Sequence, residues 1–226
     1  MLSKRLHDAL NAQINAELWS AYLYLSMSMD AEAKGLKGVA NWFFVQFQEE
    51  QDHARILMNY INSRDAKVVL KPIEEVRTEW TSPLDMFKDT LEHEKVVTSM
   101  INNLAAIAAE DKDFASSNML VWFVDEQVEE EESARDMITA CEAVEGNKFG
   151  LYTLDKELAA RVYQQASPLA TATESFAANL IAESAAPGNR GGCFCRVTRQ
   201  PAHPGRMAGG QFRGSYWGEA IPGGGY

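Results

Sequence analysis

The chain has 226 residues, 46% of them hydrophobic, and a formal net charge of −11. That charge argues against nucleic acid and against an anionic membrane as partners, and no apolar run approaches the roughly 18 residues of a membrane span. The three cysteines do not form a disulfide framework and the amphipathic N-terminus lacks a signal-peptide core, so we expect a cytoplasmic protein.

Apolar residues recur at helical spacing through the first 165 residues, with no strand-type alternation of any length. Gly35 and Gly38 separate the first two predicted helices. Ser82, Pro83 and Asp85 give the third an N-cap, a proline at its first position and an early acid. The predicted helices are α1 over 3–30, α2 over 39–64, α3 over 82–110, α4 over 113–145 and a shorter α5 over 153–165.

The connection between α2 and α3, residues 65–81, is much longer than the α1–α2 and α3–α4 loops, which predict antiparallel hairpins. A helix of the length predicted for α2 measures about 39 Å, and the connection can extend over about 60 Å. It can therefore cross the whole bundle and leave α2 parallel to α3. The sequence predicts an all-α, ferritin-like four-helix bundle with one long crossover and a short fifth helix.

Composition changes sharply near residue 166. Residues 166–226 hold 11 of the 15 glycines and five of the seven prolines, which leaves little apolar surface to offset the entropy of ordering. We therefore expect a bundle domain over 1–165 and a low-complexity, largely disordered extension over 166–226. Cys193, Cys195 and His203 could bind a soft metal there, although three scattered ligands are more often inert.

Each long helix carries one glutamate in the middle of its own apolar stripe, since side chains seven residues apart share a helix face. A single such glutamate could lie at the stripe's edge and reach outward, but four near the helix midpoints are harder to explain that way. An unpaired carboxylate in a low-dielectric interior costs several kcal/mol, and no lysine or arginine lies nearby on these stripes. Bound cations would stabilise such a cluster. The glutamates and their neighbours seven residues away are Glu17 (Leu10, Tyr24), Glu50 (Phe43, Leu57), Glu94 (Phe87, Ile101) and Glu130 (Phe123, Met137).

His53 follows Glu50 in a Glu-x-x-His pair, which presents a carboxylate and an imidazole on one helix face. With glutamates from neighbouring helices, this pair forms the ligand pattern of di-iron carboxylate bundles. Oxygen-rich coordination with little imidazole favours iron or manganese over a closed zinc site. The sequence therefore predicts a metal centre inside the bundle.

No second Glu-x-x-His pair exists, and α4 offers Gln127 and Glu130 instead. A second metal held by oxygens alone should bind more weakly and leave more readily, which suits metal that passes through the site. We expect two unequal positions, the first held by Glu17, Glu50 and His53 and the second by Glu50, Glu94 and Glu130.

Five segments resemble the bacterial non-haem ferritins, and the resemblance covers about residues 1–165. They are "NAELWSAYLYLSM", "FQEEQDHA", "LEHEKVV", "VWFVDEQVEEE" and "FGLYTLDKEL". The resemblance implies a hollow homo-oligomeric shell of 24 subunits. It also implies ferroxidase activity, with Fe(II) oxidised by dioxygen or peroxide, and storage of a ferric mineral inside the shell.

The same resemblance assigns roles to individual residues. Glu50 bridges a first iron, held with Glu17 and His53, to a second iron held by Glu94, and Gln127 lies beside the pair. A third iron site, for which a solvated acidic face is the alternative at Glu129, takes Glu49, Glu126, Glu129 and Glu130.

Tyr24 and Trp122 match aromatic residues beside the family's di-iron centre, where plain packing would also explain them. Haem is not expected, because Gln51 and Asp52 stand between Glu50 and His53 in place of the haem-ligating methionine of bacterioferritins.

Two other functions are compatible with a helical bundle. A di-iron oxygenase or peroxidase acting on an organic substrate would need a substrate pocket and usually more histidine ligands. A non-catalytic helical binding module would leave four core glutamates unexplained.

Overall fold

Five α-helices form the described part of this computed structural model, which is residues 2–169. None of these helices is both long enough and apolar enough to cross a membrane. The expected extension from residue 170 onward, with Cys193, Cys195 and His203, lies outside the described residues. The helices are α1 Lys4–Ala33, α2 Lys37–Ser63, α3 Pro83–Glu110, α4 Phe114–Ala143 and α5 Lys148–Leu158.

The ends of α1 and α3 follow from local side-chain chemistry. Ser82 caps α3 by accepting a hydrogen bond from the Asp85 backbone N–H at 3.2 Å, as the sequence predicts. α1 ends at Ala33, two residues before Gly35, whose φ of +79° lies in the left-handed region that favours glycine. The backbone N–H of Leu36 then donates to the carbonyl of Ala31 at 3.0 Å and closes the helix.

The prediction for α5 is wrong at both ends, because the helix spans Lys148–Leu158 rather than 153–165. Asn147 starts it early, since its side-chain oxygen accepts from the backbone N–H groups of Phe149 at 3.1 Å and Gly150 at 3.0 Å. The "KFGLY" stretch thus forms the first turn of the helix rather than its approach.

The long crossover runs beside α1 along most of that helix. Near its start, the Val69 N–H donates to Asn11 at 2.6 Å. Near its end, the Trp80 N–H donates to Asp30 at 3.1 Å. Because α1 is antiparallel to α2, this path starts α3 at the end where α2 also starts, and the two run parallel. The predicted four-helix bundle with one crossover is confirmed.

The core has two apolar halves with the four glutamates between them. One half, the Tyr24 cluster, is rich in aromatic side chains, and the other, the Leu10 cluster, is mainly aliphatic. The residues that precede and follow the glutamates by seven therefore fall on opposite sides of a polar layer. The Tyr24 cluster includes Tyr24, Phe43 and Phe87 with Met137 packed against it; the Leu10 cluster includes Leu10, Leu57, Ile101 and Phe123.

The chain stays packed on the bundle beyond residue 165, the expected end of the domain. The backbone N–H of Ala166 donates to the buried carboxylate of Asp52 at 3.1 Å. Leu169 is buried in the Leu10 cluster. Residues up to 169 therefore pack on the bundle, and the boundary after residue 165 stays a prediction.

α5 is joined to the start of α2 through Asp155. Its carboxylate accepts from the backbone N–H groups of Gly38 at 2.7 Å and Val39 at 3.0 Å. α2 has no side-chain cap of its own, because Leu36 stands at that position. The helices approach so closely that a Cβ at Gly38 would lie 1.5 Å from the Asp155 carbonyl oxygen, so only glycine fits.

Asp155→Ala should lower the free energy of unfolding by about 1–2 kcal/mol, because two backbone donors at the start of α2 lose their acceptor. Glu157→Ala is the matched control, since Glu157 is an exposed acid on the same helix. Thermal unfolding of the metal-free proteins measures both changes. Equal losses in the two variants would contradict a capping role for Asp155.

Candidate metal centre

Four carboxylates, one from each long helix, lie in the polar layer between the two apolar clusters. Glu17 and Glu94 are 1% exposed, Glu50 is 2% exposed and Glu130 is 7% exposed. Buried carboxylates at this level need protons, hydrogen-bond donors or cations to compensate their charge. The four glutamates differ in which of these they have.

Glu17, Glu50 and His53 form the first group, in which one ligand atom from each residue lies within 4.8 Å of the others. Gln13 donates to Glu17 Oε1 at 3.0 Å, but Glu17 Oε2 and Glu50 Oε2 are buried without a hydrogen-bond partner. His53 Nδ1 lies 3.3 Å from Glu50 Oε2, without the geometry of a hydrogen bond. Unpartnered buried oxygens facing an imidazole are what a cation would ligate.

His53, Glu126 and Glu130 form a second group, with ligand atoms also within 4.8 Å of one another. His53 Nε2 lies 3.7 Å from Glu126 Oε1, so the imidazole stands between the two groups with one nitrogen toward each. One of its carboxylates accepts a hydrogen bond from a neighbouring side chain, as Glu17 does in the first group. Gln46 Nε2 donates to Glu130 Oε2 at 2.8 Å.

Glu94 lies in the same layer but belongs to neither group, and protein donors hold both its oxygens. The Tyr24 hydroxyl donates to Oε1, and Gln127 Nε2 donates to Oε2 at 3.1 Å. Tyr24 is fully buried, and burial, with the nearby charges of Glu94 and Glu50, raises the pKa of its hydroxyl well above the ordinary value. Tyr24 therefore contacts a candidate ligand directly rather than serving only to pack the core.

The remaining candidate residues lie in different surroundings. Glu49 pairs with Arg161 at 2.7 Å, and Glu129 is exposed and joins neither group. The Trp122 ring meets the His53 ring edge-on, with 5.5 Å between centroids. A third metal site with Glu49, Glu126, Glu129 and Glu130 stays a prediction.

Burial shapes the charge state of the layer. It raises the pKa of Glu50 well above its ordinary value, and it raises that of Glu94 to about 8, helped by Glu130 and opposed by the Tyr24 and Gln127 hydrogen bonds. Burial alone would lower the pKa of His53, but Glu50 and Glu126 outweigh it and the pKa lies well above the ordinary value. The metal-free layer therefore retains protons that bound metal would replace.

Sequence reasoning missed three residues of this layer. Gln13 precedes Glu17 by four residues, a spacing that would have revealed it. Gln46 has the same spacing before Glu50 but donates to Glu130 on another helix, and Arg161 follows α5, so spacing within one helix predicts neither contact. The four apolar stripes carry no lysine or arginine near the glutamates, as the sequence indicates. The positive charge beside them is the guanidinium of Arg161, which comes from another part of the chain.

The free energy of unfolding of the metal-free protein should fall as pH rises between about pH 5 and pH 8. The folded protein keeps a proton on Glu94 up to about pH 8, while the unfolded chain releases it near the ordinary value of 4.5. The folded state thus binds more protons over this range, and raising the pH favours unfolding.

Glu94→Gln should flatten this pH dependence, because its amide cannot ionise. Glu92→Gln, the same substitution at an exposed side chain of the same helix, should leave the pH dependence as in the natural protein. Thermal midpoints across this pH range measure the slopes, and an unchanged slope in Glu94→Gln would show that Glu94 is not the group responsible.

Comparison with known proteins identifies the family. Residues 7–144 match the ferritin-like domain. The bacterial non-heme ferritin of Staphylococcus aureus (strain USA300) is 38% identical over 165 residues, which cover 73% of this chain and 99% of that protein. That of Bacteroides fragilis (strain 638R) is 39% identical over 161 residues, covering 71% and 100%. An open-pore ferritin from the hyperthermophilic archaeon Archaeoglobus fulgidus is 46% identical, with a TM-score of 0.71, and the match covers 72% of this chain and all of that chain. The chain therefore belongs to the ferritin family, in its bacterial non-haem branch.

Proposed function

We propose that this protein stores iron and acts as a ferroxidase, with Fe(II) oxidised at the first group of Glu17, Glu50 and His53. The observation that carries the assignment is the pair of buried, unpartnered oxygens, Glu17 Oε2 and Glu50 Oε2, beside an imidazole. Membership of the ferritin family and the non-heme ferritins among its relatives support iron as the metal. Iron is here substrate and cargo rather than a permanent cofactor.

The carboxylates contribute negative charge and fixed positions. Anionic oxygens stabilise Fe(III) more than Fe(II), so the layer favours the loss of an electron to dioxygen or peroxide. Glu50 is the proposed bridge to a second iron. Glu94 would hold that iron after its oxygens gave up hydrogen bonds from Tyr24 and Gln127. Because Glu94 and Glu50 retain protons without metal, iron binding should release protons.

A third iron is proposed at Glu49, Glu126, Glu129 and Glu130. The proximity of His53, Glu126 and Glu130 supports this location. Gln127, which bonds to Glu94 and stands beside Thr98, is proposed to orient the second iron's carboxylate.

A shell of 24 subunits is the proposed assembly, on the strength of family membership. Large apolar side chains stand exposed on the single chain, among them Phe114 at 80% and Phe149 at 77%, as on surfaces that a neighbouring subunit covers. The cytoplasmic location stays a prediction from the sequence.

Glu50→Ala should slow Fe(II) oxidation by roughly a hundredfold or more, because it removes a ligand shared by both irons of the proposed pair. Glu130→Ala should slow it by about tenfold or less, since Glu130 belongs to the second group only. Stopped-flow absorbance after mixing Fe(II) with aerated protein measures both rates. Equal, mild losses would contradict the assignment of Glu50 as the bridge.

The amount of iron that the natural protein retains per assembly separates storage from the alternative of a di-iron enzyme acting on an organic substrate. Storage predicts retained iron far in excess of the ligand groups. Retention of about two irons per chain would instead indicate the di-iron enzyme.

A further inference from the structure

The segment that follows α5, residues 159–169, lies against the side of α2 that carries the metal ligands. Asn41 Nδ2 donates to the carbonyl of Arg161 at 2.9 Å, near the start of α2. Further along, the Tyr163 hydroxyl donates to Asp52 Oδ2 at 2.6 Å, and the Ala166 N–H donates to the same oxygen at 3.1 Å. The segment therefore runs along α2 toward His53.

The guanidinium of Arg161 is held on three sides. It lies over the Trp42 ring, 4.6 Å from the centroid, and Nη1 donates to the Trp42 carbonyl at 3.2 Å. Nη2 donates to Gln46 Oε1 at 2.6 Å and to Glu49 Oε2 at 2.7 Å. Such a forked, stacked arginine has little freedom to leave without a competing charge.

These contacts reach the second group through Gln46. Because the amide oxygen of Gln46 accepts from Arg161, its NH₂ is turned toward Glu130, to which it donates at 2.8 Å. Arg161 thus engages Glu49 directly and Glu130 through the amide. Two carboxylates beside the first group already have partners from the protein itself.

The two groups therefore differ in their readiness for metal. In the first, Glu17 Oε2 and Glu50 Oε2 have no donor to give up. Around the second, a metal ion would have to replace the Arg161–Glu49 pair and the Gln46–Glu130 hydrogen bond. It would also meet repulsion from a fixed positive charge only one side chain away.

We infer that Arg161 is a positioning residue that limits metal binding at the Glu49, Glu126 and Glu130 side of the centre, so that a third metal ion binds there only when the guanidinium is displaced. This deepens the proposed function and rests on it. The segment after α5 thereby sets the order of loading, with the first group filled before the acids that Arg161 holds.

The test is Co²⁺ binding to the full-length protein under nitrogen, by equilibrium dialysis with visible absorption to follow coordination. Arg161→Gln should bind a third Co²⁺ per chain at least about tenfold more tightly than the natural protein, because repulsion is removed and Glu49 is released. Affinity for the first two ions should not change, and they serve as an internal reference that a purely structural effect would not spare.

Two variants control for charge. Arg55→Gln removes an equal charge from α2, where Arg55 pairs with Asp52 at 3.0 Å, and should leave the third ion's affinity unchanged. Arg161→Lys keeps the charge and should stay close to the natural protein. In a Glu126→Gln background, which lacks a ligand of the second group, Arg161→Gln should have no effect.

Asn41→Ala gives an independent test if Arg161→Gln is too unstable to measure. This substitution keeps the guanidinium but removes the amide that holds the main chain of Arg161. The affinity for the third Co²⁺ should therefore rise, by a smaller factor than in Arg161→Gln. Circular dichroism confirms that each variant is folded.

The inference would be overturned if the affinity for the third Co²⁺ were unchanged or lower in Arg161→Gln, or if it rose equally in Arg55→Gln. Either result would leave the proposed function intact. Absence of the first two ions from every variant would instead show that the proposed metal centre is wrong, and the inference with it.

Discussion

Charge compensation in one buried layer is the constraint on which the rest of this bundle depends. Glu17, Glu50, Glu94 and Glu130 come from four helices and meet at one level, where their side chains are buried. Each would lower the stability of the fold if it were ionised and alone. The apolar clusters above and below supply the stability that lets the protein hold this layer in place.

The helices must keep their midpoints at the same level for the carboxylates to meet. The crossover does this by following α1 from Asn11 to Asp30 before α3 starts, which makes α3 parallel to α2. Asp155 adds a second restraint by fastening α5 to the start of α2. Folding and ligand placement are therefore consequences of the same contacts, and the metal groups need no loops to build them.

Periodicity carried the prediction of the layer, because a glutamate seven residues from apolar neighbours on both sides can be found within a single helix. Local spacing also shows the Glu50–His53 pair. Spacing within one helix cannot predict contacts between distant parts of the chain. Arg161 contacts Glu49, 112 residues away, and Gln46, 115 residues away. α5 was misplaced because the Asn147 cap starts the helix at Lys148, five residues before the expected position.

Anomalous X-ray diffraction from crystals of the full-length protein soaked with Fe(II) under nitrogen tests most directly whether the buried layer binds metal. The layer predicts an iron peak within about 2.0–2.3 Å of the Glu17 and Glu50 carboxylates and a His53 ring nitrogen. Iron peaks confined to exposed acids, with none between Glu17 and Glu50, would show that these buried carboxylates are compensated by protons alone and that the metal centre lies elsewhere.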